Sequence, residues 1–92
     1  MPLLHIEHGI TDFAVWSRAF DTLADRRRSA GVRSERVCRP ADDPHYVLID
    51  LDFATRDQAT AFLSFLRQTV WASPNSSPAL AGRPNGRVLN IE

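Results

Sequence analysis

The chain has 92 residues, enough for one domain with one small core, and at this size folding hides only about 60–65% of the surface the unfolded chain exposes. Apolar side chains make up 43% of it, which excludes a disordered chain; eleven arginines against eleven carboxylates, with no lysine, argue against nucleic acid or an anionic membrane as main partner and remove lysine chemistry. Cys38 alone cannot close an internal disulfide, MPLLHIEHGI lacks a signal-peptide pattern, and no apolar run nears the roughly 20 residues of a membrane span, so the expected compartment is the cytoplasm.

Residues 3–9, LLHIEHG, alternate as a strand that sends Leu4, Ile6 and His8 to one side and Leu3, His5 and Glu7 to the other. Thr11 or Asp12 then caps a helix in which Phe13, Trp16, Phe20 and Leu23 recur at steps of three and four. Gly31 stops it, because glycine enters the left-handed conformation without steric cost. The basic run DRRRS at 25–29 reads as a solvated helix end that complements the helix dipole, with Asp25 pairing Arg28.

A second strand is expected at 32–39 and a third at 45–53, joined by the PADDP turn, where Asp42 and Asp43 can cap turn amides. In the third strand Val47, Ile49, Leu51 and Phe53 share one face, and Tyr46, Leu48, Asp50 and Asp52 share the other. TRDQ at 55–58 is a capping box, opening a helix that buries Ala59, Phe62, Leu63, Leu66 and Val70 and fades near Trp71. Residues 72–86, rich in proline and glycine, read as a long loop, and RVLNIE at 87–92 as a last strand.

Strand, helix, strand, strand, helix, strand is the order of the α+β ferredoxin-like βαββαβ fold, here spanning 1–92 as a single domain. Both helices cover one face of a four-stranded antiparallel sheet. The other face must meet water, a ligand or a second subunit.

The segments HGITDFAVW (8–16), RRSAGV (27–32), RVCRPADDPHYVLIDLDF (36–53) and FLSFLRQTVWASPNSSPALAGRPNGRVLNIE (62–92) cover most of the chain. On them the sequence resembles the small dimeric α+β-barrel proteins related to antibiotic-biosynthesis-monooxygenase-like and cyclase-like domains. The resemblance implies a homodimer whose two sheets pack face to face around a barrel interior that binds a small, often aromatic or polyketide-like molecule. It implies oxygenase-like or cyclase-like chemistry with no metal, nucleotide or other cofactor. The rival expectation is a non-catalytic ligand-binding or dimeric assembly module. The Asn, Trp and His set of haem-degrading relatives does not map, since no histidine follows His45 and no asparagine precedes Asn75.

The candidate catalytic residues are His8, His5 and Asp50, with Glu7, Tyr46, Asp52, Phe65 and Trp71 as candidate ligand contacts. His8, placed by the resemblance at the barrel mouth before the first helix, suits a general acid or base because imidazole titrates near 6.5. The plainer reading of His8 is a backbone hydrogen bond and packing on Trp16. Asp50 and Asp52, about 6–7 Å apart on one strand face, are expected either to have one pKa raised by burial and mutual repulsion or to pair with Arg33 or Arg36. His5 and Glu7 point away from His8, so the three do not converge on a metal. Phe65 and Trp71, with Leu80, are read as a pocket lid or a subunit contact, and Cys38 as a packed small side chain.

Overall fold

The computed structural model describes residues 2–92. Its elements are β1 (Pro2–Ile10), α1 (Phe13–Thr22), α2 (Ala24–Ser29), β2 (Val32–Cys38), β3 (Tyr46–Phe53), α3 (Arg56–Phe65) and β4 (Leu80–Asn90), with a π-helical turn at Leu66–Val70 extending α3. The sheet runs in the order β2-β3-β1-β4, and all three pairings are antiparallel. This is the ferredoxin-like arrangement that the element order called for.

Strand alternation decides which face is dry. Leu4, Ile6 and Ile10 from β1 join Val47, Ile49, Leu51 and Phe53 from β3, and the helices cover them with Ala59, Phe62, Leu63 and Leu66. His5 pairs across to Asp50 and Leu3 to Asp52, so the polar residues of both strands gather on the opposite, uncovered face. A slip of one residue would exchange the two sets, and burial of the apolar set therefore fixes the register.

The expected long first helix is two helices. Thr22 Oγ1 donates to the Ala19 carbonyl at 2.6 Å and Leu23 N–H reaches back to Phe20, a local competition that ends α1 and lets α2 begin afresh. Asp12 is the cap, accepting from Val15 N at 3.0 Å. The capping box of α3 is present as read, with Thr55 and Gln58 bonding reciprocally.

Gly31 follows α2 at φ 101°, and a Cβ there would lie 2.6 Å from the Gln58 side chain. Gly31→Ala is expected to cost about 1–2 kcal/mol, because it both strains the backbone and displaces half of the α3 capping box. A fall in the urea midpoint at unchanged slope is the measurement, and an unaltered midpoint would contradict it.

The 72–86 loop is shorter than expected. β4 starts at Leu80 rather than Arg87, leaving only Trp71–Ala79 outside regular structure. Pro84 is tolerated inside β4 because β4 is an edge strand and one of its sides needs no amide donor. Among the described residues no helix is long and apolar enough to cross a membrane.

Candidate functional site

The two faces of β1 carry two different clusters. On the uncovered face His5 stands between two carboxylates, with Nδ1 donating to Asp50 Oδ1 at 2.6 Å and Nε2 donating to Glu7 Oε2 at 2.8 Å. Tyr46 Oη donates to Glu7 Oε1 at 2.7 Å, and Arg36 Nη2 donates to Asp50 Oδ2 at 3.1 Å. Carboxylates only accept, so both ring nitrogens carry protons and His5 is an imidazolium. The chain Tyr46–Glu7–His5–Asp50–Arg36 thus holds two negative and two positive charges.

The electrostatics follow the bonds. Hydrogen bonds to Asp50 and Glu7 raise the His5 pKa above its ordinary value against the opposing effect of burial. The His5 and Tyr46 bonds hold Glu7 below the usual carboxylate range, and the bond to Glu7 pushes the Tyr46 phenol up. Burial pushes Asp50 up, but the bonds from His5 and Arg36 outweigh it and leave the carboxyl low. An elevated Asp50 carboxyl is therefore not the arrangement found; the pairing with Arg36 is. Asp52 accepts from Ser34 Oγ and stands apart from the His5 chain.

His8 occupies the helix-facing side of β1 and is 4% exposed. Its Nδ1 donates to the Gly9 carbonyl at 2.8 Å, and its ring meets Trp16 edge-on at 6.3 Å between centroids. That bond fixes the tautomer and leaves the Nε2 lone pair without a protein partner among the described residues. Burial lowers the His8 pKa, and the Gly9 bond only partly offsets it, so the ring stays neutral to more acid pH than a free histidine.

His8 lines an apolar pocket of about 60 Å3 between the sheet and the helices, together with Trp16, Phe20, Leu66, Trp71 and Leu80. The π-helical turn brings Trp71 to this wall: Trp71 N–H bonds the Leu66 carbonyl at 2.7 Å, five residues back, and the added residue re-aims the helix end. Phe65 does not join the wall; it packs on Phe62 at 5.6 Å and under the Arg26 guanidinium. Cys38 is exposed rather than packed. His5, Glu7, Tyr46 and Asp50 are brought together, whereas His8 and Trp71 belong to the other side of the sheet.

Arg27 was not among the expected site residues, yet it lines this pocket at 3% exposure. Its guanidinium grips Glu35 through Nε at 2.6 Å and Nη2 at 3.2 Å, donates to the Phe20 carbonyl, and lies 3.6 Å over the Phe20 ring. The signal was present: Arg27 continues the 16, 20, 23 stripe by one more step of four. Arg28 pairs with Asp25 at 3.0 Å in solvent, as its spacing indicated. Among the described residues no group of three or more His, Cys, Asp or Glu side chains converges as a metal site.

No protein-family model and no curated protein matches the sequence. Solved structures do. A proposed antibiotic biosynthesis monooxygenase from Nitrosomonas europaea superposes with a TM-score of 0.72 at 16% identity, covering 99% of this chain and 98% of its own. SnoaB, a cofactor-independent oxygenase from Streptomyces nogalater, gives 0.61 at 11% identity over 99% and 92% of the two chains. A dimeric ferredoxin-like protein from an uncultured marine organism gives 0.60 at 10% identity over 99% and 96%. At such identities the likeness is one of fold, and the chain has the ferredoxin-like α+β fold of these three structures over 99% of its length.

Proposed function

We propose that two copies pair through the uncovered sheet face and that each chain takes a small aromatic carbon acid or phenol into the His8 pocket for oxygenation without a bound cofactor. The observation that carries this reading is a neutral, tautomer-fixed imidazole, its Nε2 unused by the protein, in the wall of a largely apolar pocket that it shares with the Glu35-paired Arg27. Such a base removes a proton where the resulting anion is shielded from water. The electron-rich anion then reduces dioxygen. At a ring methylene both C–H bonds break, one oxygen atom becomes the new carbonyl, and the other leaves as water with the two hydrogens. The carbon gives up the electrons that dioxygen gains, so no outside reductant enters. The fold it shares with a cofactor-independent oxygenase supports the chemistry, and the dimeric relative supports the pairing.

The relay on the open face supports a different role for His5, Glu7, Tyr46 and Asp50. Their hydrogen bonds are spent on one another, and a charge-balanced polar surface suits a face that a second copy covers. One observation favours a non-catalytic module instead: a pocket of about 60 Å3 has room for about two water molecules, well short of the roughly 300 Å3 of common ligand sites.

Dioxygen uptake with a hydroxyanthrone decides between the two. Catalysis by His8 requires uptake by the unaltered protein and a fall of about 100-fold or more in His8→Gln. Binding without uptake would establish the module. Sedimentation at micromolar concentration tests the pairing, and a folded monomer would overturn it.

A further inference from the structure

The inner pocket has a neighbour. A groove of about 420 Å3 lies along the outer side of α1 and shares Ala19, Leu23, Ser76 and Pro78 with the pocket wall. Those four residues are thus a partition between an inner room that, while they stay closed, is too small for an aromatic ligand and an outer one of ordinary ligand size. Half of the partition is helix. The other half is the turn after Trp71.

That turn is bonded almost wholly to itself. The Ser73 carbonyl accepts from Ser76 N, Ser77 N and Ser77 Oγ at 2.9–3.1 Å, and Leu80 N reaches Ser77 at 3.3 Å. Its ties to the rest lie at its two ends, Ser73 N to the Val70 carbonyl and Thr11 N to the Ala79 carbonyl. Among the described residues the one hydrogen bond that joins residues 74–78 to an element is Leu80 N, at the start of β4, to the Ser77 carbonyl at 3.3 Å, so the turn can swing as one body at the loss of that single long bond.

The formal charges on the two linings are cationic. Arg18 borders the groove, Arg27, paired to Glu35, borders the pocket beside the neutral His8, and no Asp or Glu lines either. Arg18 also has no ion pair among the described residues, unlike Arg27.

We propose that pocket and groove are one ligand site divided by a lid at residues 73–78, and that its ligand is an elongated, largely apolar molecule with an acidic hydroxyl at one end and a carboxylate or other anion at the other. The hydroxyl end passes the lid to His8 between Trp16 and Trp71. The anionic end stays in the groove beside Arg18. This rests on the reading of the His8 pocket as a ligand site and adds the shape and charge of what fills it.

The test uses 6-hydroxy-2-naphthoate and its uncharged 2-carboxamide, followed by calorimetry and by quenching of Trp16 and Trp71. The naphthoate binds more tightly than the amide, and Arg18→Gln weakens the naphthoate by about fivefold while sparing the amide. Ala19→Phe, which narrows the shared neck, weakens both. In stopped flow with the unaltered protein the observed rate levels off as probe concentration rises, because opening of the lid precedes binding. A linear rise to the highest concentration overturns the lid. If His8→Gln weakens both probes while Arg18→Gln and Ala19→Phe do not, the divided site is wrong and the inner pocket stands. If the unaltered protein binds neither probe, both readings fall.

Discussion

Arg27→Ala is expected to lower the unfolding free energy by about 3 kcal/mol, a large part of the roughly 5–10 kcal/mol a domain of this size possesses. The substitution strands no buried charge on the other side, because the Glu35 side chain is 40% exposed and regains water, which places the loss at the lower end of the range for a broken buried pair. What it does remove is a bidentate grip on β2, a donor to the Phe20 carbonyl at the end of α1, and the cover over the Phe20 ring. One side chain therefore ties α1, α2 and the edge strand together. Arg27→Met keeps much of the apolar stem and should lose less than the alanine variant. Denaturant unfolding of Arg27→Ala, Glu35→Gln and the double variant gives the coupling between the partners. A loss below about 1 kcal/mol for Arg27→Ala would show that the bridge is a surface ion pair in energetic terms.

Arg27 also marks the boundary of what could be read from the chain. The alternation of β1 and β3 was legible because β3 keeps one wholly apolar face and β1 breaks its own only at His8, and that pattern has only one register. The Asp12 and Thr55 caps were legible for a similar reason: the capping side chain lies within three residues of the amide it satisfies. Arg27 was hidden by its own charge, since a guanidinium on an apolar stripe is buried only if a partner waits for it. That partner, Glu35, arrives from another element eight residues on. The same holds for β4, whose ladder to β1 starts at Leu80 through pairing rather than through any run of strand-forming residues.

The candidate site divides along the same line. That His5 shares a face with Glu7, and Asp50 with Tyr46, followed from period two within each strand, while which face of β1 joins which face of β3 did not. That His5 would bond Asp50 and Glu7 at once needed the cross-strand register, which sets His5 opposite Asp50. The place of Trp71 was beyond reach of the sequence, because it depends on a single added residue in the helix turn before it.

His5 and His8 lie on one strand, face opposite ways, and should drive stability in opposite directions with pH. The His5 pKa is raised above 6.5 in the folded chain, so its contribution is whole below pH 6.5 and is lost as pH rises through the folded value. The His8 pKa is lowered below 6.5, so its contribution is whole above pH 6.5 and is lost as pH falls through the folded value. Glu7 and Asp50, both lowered, add stability that is present above about pH 4.5 and disappears further into acid. The groups facing His5 are Glu7, Asp50, Tyr46 and Arg36, with Arg87 of β4 directly opposite in the ladder, and those cations keep the relay from collapsing into like-charge repulsion when His5 is lost. Stability should therefore peak near pH 6.5 and fall on both sides, by about 1 kcal/mol on the alkaline side, where the half-open face screens the relay. His5→Gln is expected to flatten the alkaline limb and His8→Gln the limb that begins just below pH 6.5, each leaving the other limb in place. Urea midpoints taken at intervals from pH 5 to 9 read both effects, and a steady rise across that range in the unaltered protein would show that His5 carries no bridging charge.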